Sequence, residues 1–167
     1  MPLTFNISAY SRILSITLIA AALTASAQRV PQDNLGKGPL TDVDEHRGDT
    51  LPLDLEFISS SGMKTRLGDV FEDGKPVVLV LAYYECPMLC SKVLQGVSDS
   101  IKLMDWKPGE EFNMVTISIN PRETPELARA KQNIHLKRIG LEEGTNAGWQ
   151  FWVGDQEPIH ELADAVG

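Results

Sequence analysis

The run Val77-Val78-Leu79-Val80-Leu81-Ala82-Tyr83-Tyr84 constrains this chain more than any other feature. It is apolar throughout, β-branched, and too short for a buried helix. It shows no polar alternation, so it does not read as a strand with one wet face. Such a run belongs to a central strand buried on both faces, the kind found where helices cover a parallel sheet. The fold class it implies is therefore α/β, with helices flanking a central sheet.

The surrounding segments agree. Leu53-Asp54-Leu55-Glu56-Phe57 alternates like a half-buried strand, and Ser61-Gly62 before Lys64-Thr65-Arg66-Leu67 reads as a hairpin return. Leu89, Val93, Leu94, Val97, Ile101 and Met104 recur at three- and four-residue steps, which predicts a helix from Pro87 to about Met104. A second central strand covers Phe112 to Ile119. Thr124 and Pro125 open a helix that runs to Ile139 and stops at Gly140. Trp149 to Val153 is a third strand, and Glu157 to Ala165 a short last helix. The expected order is a hairpin, then β-α-β-α-β-α, with right-handed crossovers placing the long strands parallel.

The start of the chain reads as targeting sequence. Arg12 is the one charged side chain before Arg29, and the apolar run Ile13 to Leu23 leads to Ala25-Ser26-Ala27. This is a positive n-region, a short h-region and a small-x-small cleavage site. The run is shorter than the ~20 residues that span a bilayer core, so cleavage after Ala27 is expected, with a retained anchor as the alternative. Residues 28–49 form a flexible lead-in rich in Pro, Gly, Asp and Asn. The domain occupies residues 50–167. Export, into a periplasm, places its cysteines where disulfides can form.

Charge narrows the partners. Fifteen Lys and Arg stand against 23 Asp and Glu, a net charge of −8. That balance argues against nucleic acid and against a polybasic membrane-surface role. Two cysteines are too few for a disulfide-stapled miniprotein or a four-cysteine zinc site.

Those two cysteines fall in Cys86-Pro87-Met88-Leu89-Cys90, where the apolar strand ends and a helix begins. Open α/β folds place ligands at this carboxyl edge. Unpaired N–H groups at a helix start favour a thiolate at Cys86. If the helix begins at once, Cys86 and Cys90 share one face, with Cβ atoms about 5–6 Å apart. That spacing suits a disulfide, or two thiolates on one soft metal ion, with Cu(I) the natural candidate. A structural bridge and free buried thiols are the bland alternatives. So small a loop removes little unfolded-state entropy, which makes stabilisation a poor reason for a bridge here.

Other candidate ligands are weaker. His46, His135 and His160 have no spacing that ties them to the cysteines, and His135 reads as part of a solvated helix face. Met88 could offer a thioether, though a methionine there more often packs. Tyr83, Tyr84 and Glu85 are expected to shape the entrance, and Trp149, Phe151 and Trp152 to belong to core and rim. No phosphate loop, nucleophile elbow or two-histidine zinc motif occurs.

The run Val77 to Cys90, with aromatics before Cys-Pro-x-x-Cys, resembles the Sco/SenC family of copper-handling proteins. The resemblance extends over roughly Val43 to Gly167. Ser118-Ile119-Asn120-Pro121-Arg122-Glu123-Thr124-Pro125 is similar to the family's second signature, in which acidic residues often stand at the positions of Asn120 and Glu123. Gly148 to Gly154 is similar to a third. The resemblance implies a thioredoxin-like fold and a copper metallochaperone for the copper A centre of cytochrome c oxidase. Cys86 and Cys90 would be its copper-binding thiolates and the pair that cycles to a disulfide. Its partners would be subunit II of the oxidase or another copper acceptor, and a copper donor chaperone. The family's third copper ligand is a histidine in a hairpin beyond the last helix seen here, and the given sequence ends at Gly167. The expectation is therefore a domain without its final strands and a site of two sulfur ligands.

Four functions compete at this point. They are copper delivery, thiol–disulfide exchange with Cys86 attacking and Cys90 resolving, peroxidase chemistry, and a non-catalytic exported domain. The peroxidase reading lacks the Thr and Arg cluster that it needs near the cysteine.

Overall fold

A computed structural model describes residues 46–86, 88–142 and 148–167. The expected signal segment and most of the lead-in lie outside the described residues. In chain order the elements are strand β1 (Glu56–Ser59), strand β2 (Lys64–Arg66), a 3-10 turn (Leu67–Phe71), strand β3 (Val77–Ala82), helix α1 (Leu89–Leu103), strand β4 (Asn113–Ser118), helix α2 (Pro125–Arg138), strand β5 (Trp149–Val153) and helix α3 (Gln156–Val166). Among the described residues no helix is long and apolar enough to cross a membrane.

The strands form one mixed sheet in the order β2-β1-β5-β4-β3. β3 and β4 are parallel, as are β4 and β5, while β1 runs antiparallel to both β2 and β5. The period of two sorts the side chains between the faces. Trp149, Phe151 and Val153 of β5 pack on one side with Leu94 and Ile101 of α1 and Leu136 of α2. Trp152, Val115 and Ile117 point to the other side, against Ile159 and Leu162 of α3 and Leu67 of the 3-10 turn. Two cores thus sandwich the sheet, as expected of an α/β layer protein.

Local chemistry sets the helix ends. Thr124 caps α2 by accepting a hydrogen bond from the Leu127 N–H, with Pro125 at the first helical position. Gly140 ends the same helix at φ +82°, a left-handed turn open to glycine, and the Leu141 N–H closes back on Leu136 O at 2.9 Å.

Three sequence expectations need correction. β3 is not central: among the described strands it is the sheet edge, bonded only to β4, and Val78 is 43% exposed. The buried central parallel strand is β4. An apolar β-branched run reports a strand, but its lateral place depends on which strands pair beside it. Leu53 to Leu55 does not extend β1; the carbonyls of Leu53 and Leu55 instead accept from Gly68 and Leu67 of the 3-10 turn, at 2.7 and 2.9 Å. His135 is not solvated but 4% exposed, because Ala128, His135 and Leu136 lie on the inward stripe of α2. Its ring stacks on Phe151 and tilts against Trp149, and its Nδ1 lies 2.8 Å from Ser98 Oγ on α1.

Candidate functional site

The cysteines lie where β3 hands over to α1, at the carboxyl end of the parallel strands. The helix begins later than the sequence suggests: Met88 is its N-cap and Leu89 its first residue. Cys86 therefore precedes the helix and does not share its face with Cys90. The sulfur still reaches the helix start, because Cys86 Sγ accepts the Cys90 N–H at 3.5 Å. Met88 contributes no side-chain cap, so the Cys86 sulfur takes one of the orphan N–H groups that a capping oxygen would otherwise satisfy.

Both thiols are free and partly exposed. The Cys86 thiol is held down to about 7, first by the Cys90 N–H, then by the Met88 N–H, with smaller help from the Cys90 thiol and the Leu89 N–H. This is the helix-start stabilisation of a thiolate expected from the sequence.

The backbone on either side of Cys86 is tied down. On the carboxyl side, Ser91 Oγ donates to Cys86 O at 2.9 Å. On the amino side, the Tyr84 and Glu85 N–H groups each donate to one oxygen of Glu123, both at 2.9 Å. Glu123 follows β4 and is 7% exposed. Ser118, the last residue of β4, donates its hydroxyl proton to Glu123 and accepts the Asn120 N–H at 3.1 Å.

Tyr84 is not at the entrance, contrary to expectation. It is fully buried, its ring packs 5.7 Å from Phe151, and its hydroxyl lies within hydrogen-bond distance of the Thr116 and Trp152 carbonyls. Burial, and then the Glu123 charge, keep its hydroxyl protonated far above its ordinary range. Tyr83 does face the solvent, as do Met88, Leu89 and Val93, so exposed apolar side chains flank the cysteines along the chain. Met88 does not pack; it is 75% exposed. Trp149, Phe151 and Trp152 are all core.

Among the described residues no group of three or more His, Cys, Asp and Glu side chains could hold a metal ion. His135 is in the core, His160 is exposed on α3, and His46 stands 4.0 Å from Asp49. Among the described residues the His, Cys, Asp and Glu donors at the site are thus the two cysteine sulfurs. Soft thiolates fit Cu(I). They are also the atoms needed for thiol–disulfide exchange.

Sequence reasoning missed the role of Glu123. The one signal was its place in the Asn120-Pro121-Arg122-Glu123 segment after β4, and nothing there shows that the carboxylate turns back under the cysteine loop.

A mixed sheet with helices on both faces and a thiol pair at a strand–helix junction defines a thioredoxin-like domain. The SCO1/SenC family model matches residues 47–165, so the chain belongs to that family. Among solved structures, it is similar to a putative electron transfer protein from Aquifex aeolicus VF5, at 25% identity and a TM-score of 0.56, over 71% of this chain and 65% of that one. A putative electron transport protein from the same organism matches at 24% identity and a TM-score of 0.55, over 71% and 70%. Bradyrhizobium japonicum ScoI with copper bound matches at 20% identity and a TM-score of 0.49, over 67% and 64%. The chain thus spans about two thirds of the length of these structures. No curated protein matches the chain.

Proposed function

We propose that this chain carries Cu(I) as cargo between the thiolates of Cys86 and Cys90 and passes it to a copper acceptor protein. The observation that carries the reading is the Cys86 sulfur seated on the α1 start, 3.5 Å from the Cys90 N–H, with both thiols free and both cysteines partly exposed. A thiolate formed near neutral pH binds metal without a large proton penalty. Partial exposure leaves the ion within reach of an incoming ligand, and the exposed apolar side chains of Tyr83, Met88 and Leu89 offer a surface on which a partner can dock. Membership of the SCO1/SenC family supports assembly of cytochrome c oxidase as the setting; in this reading subunit II with its copper A centre is the acceptor, and a copper donor chaperone acts upstream. The N-terminal sequence supports export to the periplasm.

The test is an anaerobic Cu(I) titration of the reduced protein against a competing chelator. The expected result is one Cu(I) per chain, lost in Cys86→Ala and in Cys90→Ala. A reduced wild type that takes no copper from the chelator would sink the proposal.

A second reading has its own support. A thiol titrating near 7 is close to optimal for attack on a disulfide at neutral pH, because thiolate fraction and nucleophilicity then balance. In that role Cys86 attacks a disulfide of the acceptor and Cys90 resolves the mixed disulfide. The acceptor leaves with both thiols and this chain with a Cys86–Cys90 bridge. Turnover on a protein disulfide, abolished in Cys86→Ala, distinguishes it.

A further inference from the structure

We infer that Glu123 is a positioning residue for the thiol site, acting through the peptide that leads into Cys86. The inference rests on the reading of Cys86 and Cys90 as the reactive pair. Its carboxylate spans two successive backbone donors: Oε2 takes the Tyr84 N–H and Oε1 the Glu85 N–H, each at 2.9 Å. These amides have no strand partner, since β3 ends at Ala82. Without Glu123 the buried Tyr84 N–H would be left unsatisfied at the point where the chain must turn from sheet to helix.

Glu123 is itself fixed. The Ser118 hydroxyl donates to Oε2, the Asn120 N–H donates to that hydroxyl, and the Glu123 N–H returns to Asn120 O at 3.1 Å. Thr124, the next residue, is locked as the cap of α2. The clamp therefore joins the end of β4 and the start of α2 to the residue before Cys86. Ser91 holds the Cys86 carbonyl from the other side, and Cys86 Sγ meets the Cys90 N–H in between. Released on the amino side, the Cys86 peptide would swing and carry its sulfur off the N–H groups of α1. Carboxylate chemistry is specific here: all three donors point at Glu123, and an amide in its place would turn its own N–H toward one of them.

The test compares wild type, Glu123→Gln and the core control Ser98→Ala. Ser98 lies in α1 two turns beyond Cys90 and bonds His135, so its loss weakens the fold without touching the clamp. Two properties are read for each: Cu(I) affinity by chelator competition, and the pH midpoint of Cys86 alkylation in a Cys90→Ser background. Thermal unfolding is recorded in parallel. The expected result is Cu(I) binding weakened about tenfold or more in Glu123→Gln, the scale seen when a group orienting a metal ligand is removed. The alkylation midpoint rises toward that of a free thiol, while Ser98→Ala loses stability and keeps both properties. Glu123→Asp, which keeps the charge but is too short to span both amides, replaces the glutamine variant if that one does not fold. Wild-type values in the Glu123 variant, or equal changes in Ser98→Ala, would overturn the inference. A wild type that binds no copper refutes the copper proposal alone, and the alkylation arm then decides the role of Glu123.

Discussion

Acidification should destabilise this domain through a buried histidine that bonds α1 two turns beyond Cys90. His135 is held neutral down to about 4, first by burial, then by the positive charges of Lys131 and Arg138. In the unfolded chain a histidine titrates near 6.5. Above that pH both states are neutral at this site and stability is flat. Below it the unfolded chain takes up a proton that the folded chain refuses, so stability falls with pH until the folded ring also titrates, near 4. Linkage with these two values gives a loss of about 1 kcal/mol at pH 5.5 and about 2 kcal/mol at pH 4.5, relative to neutral pH. That is a large part of the ~5–15 kcal/mol typical of a domain. The assay is urea unfolding at pH 7.5, 5.5 and 4.5 for wild type and His135→Gln, whose amide can still reach Ser98 but does not titrate. Asp69, Asp73, Asp99 and Glu126 have lowered carboxyl pKa values and lose stabilisation in acid too, but they are common to both proteins and cancel in the difference. Wild type should lose ground steadily against the variant as pH falls. A difference that stays constant from pH 7.5 to 4.5 would refute the reasoning.

Two further outcomes test the frame around the site. Tyr84→Phe removes the hydroxyl that reaches the Thr116 and Trp152 carbonyls, and should cost about 1–3 kcal/mol in urea unfolding with the circular dichroism of the fold retained. Gly148→Ala should be at least as damaging, by about 1–3 kcal/mol from backbone strain alone, since Gly148 sits at φ +70°. Its added Cβ would also collide with the backbone of Pro108 and Gly109, so a variant as stable as wild type by thermal unfolding would contradict the packing described here.

Most of the architecture was legible because period and punctuation were strong. β4, β5, α2 and α3 fall within a residue or two of the expected bounds, and the parallel pairing of β3, β4 and β5 follows from strand–helix alternation. What stayed hidden depended on distant pairing. β3 has the composition of a central strand, yet among the described strands it pairs with β4 alone and so forms an edge. α2 is polar overall, so the short inward stripe containing Ala128 and His135 left no readable period, and the helix looked solvated. Pro87 suggested a helix start that the chain delays to Leu89, which moved Cys86 out of the helix. The thiol pair itself was legible, because few residue types at a strand–helix junction carry chemistry of their own.

Glu123 was hidden for a more instructive reason. The parallel register pairs Ala82 with Ser118, so β3 and β4 finish side by side. Two residues beyond that pair, Tyr84 needs an acceptor for an amide the sheet no longer serves. The chain after β4 turns through Asn120 and returns a carboxylate to the same place. Neither segment reveals the bond alone, since Tyr84 reads as one more apolar residue and Glu123 as one more surface acid. Only their register makes them partners. The same geometry divides the labour at the site. Tyr84 is anchored by its ring, its hydroxyl and its amide, and Cys86 O is held by Ser91, while both cysteines are free thiols and partly exposed. Changes in sulfur chemistry can then be met by rotation of the cysteine side chains over a fixed backbone. A thiol pair that must accept and release a partner's atoms gains most from that arrangement, because little of the binding energy is spent on ordering the loop.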